Sequence, residues 1–256
     1  MEDPAPVSTA RFAARSGPAR MKRRPSTPAR RLRRMHDRLA AAYGPQHWWP
    51  AETPFEVILG AYLTQNTSWK AVERSLANLR AAGALTLNGL RALPLDRLRR
   101  LIQPSGFFTR KAPALKAFVA MLDEEFSGSL ENLAATPTPA LRSRLLALPG
   151  VGPETADAIL LYALGHPVPV ADEYLRRIAE RHQLLAPSTG PIRYDALADL
   201  TRAAFAADPP AGRARLYNEF HALIVAVGKA HCSSSPQCTG CPLAADPHLT
   251  ASSNPL

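Results

Sequence analysis

The run Leu148-Pro149-Gly150-Val151-Gly152-Pro153-Glu154-Thr155-Ala156 decides how the rest of the chain reads, because helix-period apolar patterns flank it on both sides. Two glycines in three residues admit backbone conformations closed to other residues and leave the amides uncovered. Gly152 is placed to cap a helix whose first residue is Pro153, so the free N–H groups of that turn point outward. Such a turn suits an anion, and a DNA phosphate held there needs no base-specific contact. Taken alone, Gly-Val-Gly fits equally a tight helix–turn–helix joint without a ligand.

Outward from the hairpin, apolar residues recur at spacings of three and four after residue 30, and no stretch alternates long enough for a strand. The fold class this predicts is all-α. Thr53-Pro54-Phe55-Glu56 supplies a capping hydroxyl, a first-turn proline and a Glu three residues after the cap, ahead of an apolar stripe of Val57, Ile58, Leu59, Tyr62 and Leu63. Thr138-Pro139 repeats the device before Leu141, Leu145 and Leu146. Further helices are expected at about 31–42, 69–82, 94–103, 110–126, 153–164, 172–183, 192–206 and 213–230. Many of the 25 prolines fall at such starts or in connections, and no internal repeat is evident.

The 256 residues carry 31 Lys+Arg against 21 Asp+Glu, a formal charge of +10 that points to a polyanionic partner. A hydrophobic fraction of 46% is too high for a disordered chain. Three clustered cysteines do not make a secreted disulfide scaffold, and no apolar run approaches the roughly 18 residues of a membrane span. A cytoplasmic, nucleoid-associated protein with no membrane partner is expected, nuclear or organellar if the source is eukaryotic. Ten basic side chains, from Arg11 to Arg34, fall within the first 34 residues and only Glu2 and Asp3 oppose them. Residues 1–29 read as a disordered basic tail, since they hold almost no large apolar residue. An unstructured extension, a transit peptide, or a misassigned start with Met21 or Met35 as the true one all fit it.

Downstream of the hairpin, Val170-Ala171-Asp172 opens a helix, and an Asp there is ordinarily a cap. With LPGVG ahead of it, however, the sequence resembles the endonuclease III or helix-hairpin-helix-GPD superfamily of DNA glycosylases over about residues 31–243. Leu63-Thr64-Gln65-Asn66-Thr67 and Gly106-Phe107-Phe108-x-Arg110-Lys111-Ala112 match further family pieces, in family order. The resemblance implies two helical domains with the active-site cleft between them. Residues 54–167 would form a helical barrel containing the hairpin at 141–164, and residues 30–53 with 168–256 a second domain ending in a cysteine loop at 232–241. It implies a monomer that flips a damaged base out of double-stranded DNA and breaks its N-glycosidic bond. Gly150, Val151 and Gly152 would hold a phosphate, and Gln65 would fill the space that the flipped nucleotide leaves. Asp172 would stabilise the oxocarbenium-like sugar or orient water.

Strand-cleaving members of the family carry a Schiff-base lysine where this chain has Glu154, 18 residues before Asp172. A carboxylate cannot form an imine, so a monofunctional hydrolase with little lyase activity is expected, and Glu154 joins Asp172 as a candidate catalytic residue. Its simpler role is a charge in the first turn of a helix, stabilising by about 0.3–1 kcal/mol. Trp48, Trp49, Pro50 and Trp69 crowd the first barrel helix, and indole faces would favour a cationic alkylated purine. With Glu154-x-Ala156-Asp157-Ala158, they resemble the 3-methyladenine branch more than the oxidised-pyrimidine branch. An endonuclease III-type pyrimidine glycosylase and a non-catalytic damaged-DNA-binding paralogue stay as alternatives. Cys232, Cys238 and Cys241 form C-x5-C-x2-C where many members hold a 4Fe–4S cluster with four cysteines. Pro247 occupies the fourth place, leaving His248 or Asp246 as substitutes, with zinc or no metal as alternatives to the cluster.

Overall fold

The computed structural model describes residues 27–46, 48, 51–185 and 190–248, and among them every regular element is helical. The elements are α1 (Pro28–Tyr43), α2 (Pro54–Leu63), α3 (Trp69–Ala81), α4 (Leu87–Ala92), α5 (Leu95–Leu101), α6 (Phe108–Phe126), α7 (Leu130–Ala134), α8 (Thr138–Leu146), α9 (Pro153–Ala158), α10 (Glu173–Arg181), α11 (Tyr194–Ala204) and α12 (Arg213–Ala230). The all-α expectation holds. Two short helices, α4 and α7, were not expected; each is about one turn started by a hydroxyl cap, Thr86 Oγ1 on Gly89 N–H and Ser129 Oγ on Asn132 N–H, both at 3.1 Å. They are too short to show a 3.6-residue period.

Helix α1 begins earlier than the basic tail suggests. Thr27 Oγ1 accepts from Arg30 N–H at 3.3 Å and Pro28 takes the first turn, so residues 27–29 are folded while residues 1–26 lie outside the described residues. Leu32, Met35 and Leu39 bury the inner face of α1. Arg31 meets Asp246 and the carbonyls of His182 and Pro247, and Arg33 meets Asp208, so part of the leader's charge is committed to the fold.

Helix α2 differs from the single stripe expected of it: every residue from Phe55 to Leu63 is buried. A helix apolar on all sides belongs at the centre of a helical domain, and α2 packs against α3, α6, α9 and the turn after α9. Thr53 caps it as expected, and Glu56 is buried with its carboxylate accepting from Glu52 N–H at 3.2 Å and from Arg80 at 2.7 Å. A second group of helices forms where α1 packs on α11 and α12 and α10 packs on both of these; α12 also reaches the turn after α9.

That turn, Ile159–Ala163, is π-helical and interrupts the single helix expected over 153–164. Its last residues bond with i→i+5 spacing, Leu164 N–H to Ile159 O at 3.2 Å. The extra residue in the turn re-aims the chain beyond it, and Tyr162 lies within the turn.

Candidate active site

The hairpin joins α8 to α9 as its sequence requires. Gly150 has φ +75°, a conformation glycine adopts without strain, and Gly152 caps α9 with Pro153 first in the helix. Val151 behaves differently from the two glycines. Its side chain is buried and its N–H bonds Leu148 O at 3.3 Å, so it anchors the turn from inside. Gln65, just past α2, donates from Nε2 to Gly150 O and to Thr155 Oγ1, both at 2.8 Å, tying the α2–α3 loop to the hairpin.

Behind the hairpin, Arg142 of α8 grips Asp157 of α9 through two hydrogen bonds of 2.7 and 3.0 Å, and Tyr194 of α11 donates to the same carboxylate at 2.9 Å. Asp157 is buried, so this triple contact locks α9 against both groups of helices. Burial next to that carboxylate holds the Tyr194 hydroxyl far above its usual range.

Asp172 caps α10: Oδ1 accepts from Leu175 N–H at 2.8 Å, and the side chain is buried. The capping reading and the catalytic reading are therefore compatible, because the cap occupies one oxygen only. The other, Oδ2, lies 3.4 Å from Nε2 of His221 on α12. Sequence reading did not single out His221. A histidine in the apolar run Phe220–Val225 was the available signal, and only packing shows what it faces. Gly228 explains how α12 comes so near: a Cβ there would lie 2.3 Å from the Tyr174 ring of α10. His221 and Gly228 are seven residues apart, two turns along one face of α12. On its far side, His221 Nδ1 is hydrogen-bonded to the Tyr162 hydroxyl. The Trp48 ring lies 5.0 Å from the His221 ring and 5.9 Å from that of Tyr162. Burial, then the nearby Asp172 charge, pushes the Tyr162 hydroxyl well above its usual range.

Glu154, in the first turn of α9, faces the same space. Protein surrounds its carboxyl on several sides while the cleft leaves it open to water. Desolvation, then the negative charges of Asp172 and Glu173, push it up to about 7, against the opposing pull of His221. Glu154 thereby keeps its proton to a higher pH than an ordinary carboxyl does.

Of the aromatic candidates, Trp48 reaches this cluster. Trp69 is half-buried at the start of α3 and packs on the hydrophobic core, whereas Trp49 and Pro50 lie outside the described residues. An opening of about 590 Å³ between α1 and α12 shares Trp48 as a wall but is not lined by Asp172. Among the described residues Phe107 is the exposed large apolar side chain, at 56%, with φ +46° at the start of α6. Beneath its ring lies Lys111, buried, donating to Leu63 O and Ser105 O at 2.8 Å and brought down to about 8 by desolvation.

Cys232, Cys238, Cys241 and His248 line one gap of about 20 Å³ between α10, α12 and the loop after α12. Arg181 donates to Cys232 Sγ at 2.9 Å, and burial first, then the neighbouring sulfurs, pushes the Cys241 thiol up. The donors converge, yet among the described residues no three His, Cys, Asp or Glu side chains are arranged to hold a metal ion. Asp246 is committed to Arg31 and, at 3.1 Å, to His182, which removes it as the alternative fourth ligand. His248 Nδ1 bonds Asp246 O at 2.8 Å, leaving Nε2 as its ligand atom.

Residues 59–201 match the family described as HhH-GPD superfamily base excision DNA repair protein. A protein of Methanocaldococcus jannaschii, provisionally named a DNA repair glycosylase, is 40% identical over 203 residues, covering 78% of this chain and 88% of the relative. Endonuclease III of Bacillus subtilis is 26% identical over 192 residues, covering 74% and 78%. Among solved structures, the H. pylori 3-methyladenine DNA glycosylase bound to 1,N6-ethenoadenine superposes with a TM-score of 0.67 at 29% identity, covering 80% of this chain and 98% of that one.

Proposed function

The chain belongs to the HhH-GPD superfamily and is a base-excision DNA N-glycosylase, and from that premise we propose that it is a monofunctional hydrolase favouring alkylated purines. The observation that carries this reading is the second carboxyl: Glu154 faces Asp172 from the hairpin's own helix, where the family resemblance puts an amine in strand-cleaving members. In the reaction so proposed, the C1′–N bond breaks with its electron pair leaving on the base. Asp172, ionised, opposes the positive charge on the sugar, water oxygen bonds C1′, and the water proton passes to Glu154. The product keeps an intact strand with an abasic site. Gly150 and Gly152 would meet a phosphate, Gln65 and the exposed Phe107 would stand where the duplex opens, and Trp48 would stack on the extruded base. The similarity to a 3-methyladenine glycosylase supports the substrate class.

The test is base release across a panel of alkylated, oxidised and mismatched duplexes, with Asp172→Asn as control, together with borohydride trapping on abasic-site DNA. Release of 3-methyladenine without trapping is expected. Preferential release of oxidised pyrimidine, or efficient trapping, would overturn the reading; equal activity in the Asn variant would remove Asp172 from it. Cys232, Cys238, Cys241 and His248, which line one gap but are not arranged as a metal site, are the residues that would have to draw together to hold a 4Fe–4S cluster; it would order the loop and supply no step of the hydrolysis. Anaerobically purified protein should then absorb near 400 nm, and colourless protein with neither iron nor sulfide would contradict it.

A further inference from the structure

Asp172 is directed on both oxygens, and the second of its partners lies at the end of a chain of buried polar groups. Leu175 N–H fixes Oδ1 at 2.8 Å. His221 Nε2 stands 3.4 Å from Oδ2, within ion-pair range but without the alignment of a hydrogen bond, and it has no other hydrogen-bond partner among the described residues. A buried ring nitrogen left without a partner is costly, so a shift of a few tenths of an ångström that completes a bond to Asp172 is favoured. The opposite ring nitrogen, Nδ1, is hydrogen-bonded to Tyr162. Burial keeps that phenol protonated, so its O–H is available as a donor to Nδ1. The tautomer with Nδ1 accepting puts the proton on Nε2, the nitrogen that faces the Asp172 carboxylate and the one from which that carboxylate can accept.

We propose that Tyr162 and His221 form a positioning relay behind Asp172, in which Tyr162 selects the Nε2–H tautomer and His221 holds the Asp172 carboxylate in one plane as a fixed anion. With an N–H on each oxygen, Asp172 serves the sugar cation electrostatically and is poorly placed to strip a proton from water. That duty falls to Glu154, the second carboxyl of the cleft. Three separate pieces of structure are needed to build the relay: the π-helical turn carrying Tyr162, Gly228 letting α12 approach α10, and Trp48 covering the two rings. The division of labour rests on the glycosylase reading, whereas the tautomer does not.

The decisive pair of measurements separates these. Histidine 15N shifts in the free full-length protein at pH 8 should show His221 protonated on Nε2, with Tyr162→Phe mixing the two tautomers. Single-turnover base release should fall at least tenfold in His221→Leu and return to within about threefold of wild type in His221→Gln, whose amide N–H can take the place of Nε2–H. Affinity for a duplex carrying a tetrahydrofuran abasic analogue should stay within twofold in both. An Nδ1–H tautomer in the wild type overturns the relay whatever the substrate proves to be. Release within twofold of wild type in a folded His221→Leu, or a Gln variant as slow as Leu, overturns its role in the reaction. If the wild type releases no base from any lesion, the glycosylase reading fails while the nitrogen shifts still decide the relay.

Discussion

At the scale of single residues, Glu154 and Asp172 show how neighbours assign roles to chemically similar groups. Asp172 accepts from Leu175 N–H and faces His221 Nε2 at 3.4 Å, and Glu154 is crowded by negative charge and partly stripped of water. In the proposed role of base, Glu154 with a folded value of about 7 works only when ionised, so base release should rise as pH increases through about 7 and level off above it. Glu154→Gln should abolish that rise. The same shift has a consequence for stability. The unfolded carboxyl ionises near its ordinary value, and the folded one resists ionisation until about 7, so between these pH values the folded state loses ground as pH rises. Glu154→Gln should therefore melt higher than wild type at pH 8, with the gap closing toward pH 4. A gap that is constant over this range would show that Glu154 is not perturbed.

At the scale of elements, the cleft depends on where α9 is held. The Arg142–Asp157–Tyr194 contact joins α8, α9 and α11, and Asp157 is buried. Arg142→Ala leaves that carboxylate with a single neutral donor, and denaturant unfolding should show a loss of about 3 kcal/mol. Arg142→Ala combined with Asp157→Asn should recover part of the loss, because the stranded charge is then gone. A single variant within about 0.5 kcal/mol of wild type, by the standard uncertainty of such titrations, would mean that water serves Asp157 equally well. The starts of most helices were legible because a capping hydroxyl or a proline acts within one turn, as at Thr53-Pro54. The π-helical turn was not, since an i→i+5 bond has no apolar period of its own and is selected by what packs around it.

At the scale of the whole molecule, the basic leader is divided. Arg31 and Arg33 serve α1, and the six basic side chains from Arg11 to Arg24 lie among residues 1–26. Removal of residues 1–26, which spares the Thr27 cap, should weaken binding to undamaged duplex and flatten its salt dependence, leaving single-turnover base release within about threefold; an unchanged salt slope would exclude the leader from DNA contact. The sequence by itself determined the all-α class, most helix starts, the hairpin geometry at Gly150 and Gly152, and the pairing of an Asp with a Glu in place of an amine. All of these are written in residues close along the chain or in a motif of fixed spacing. Tertiary structure alone decided that α2 is buried on every side, that Val151 anchors the hairpin from inside, that Asp246 is committed to Arg31 and His182, and that His221 stands behind Asp172. Each of these depends on the approach of segments far apart in sequence, down to the 2.3 Å that a methyl group at Gly228 would have to find beside Tyr174, and no local pattern encodes such a distance.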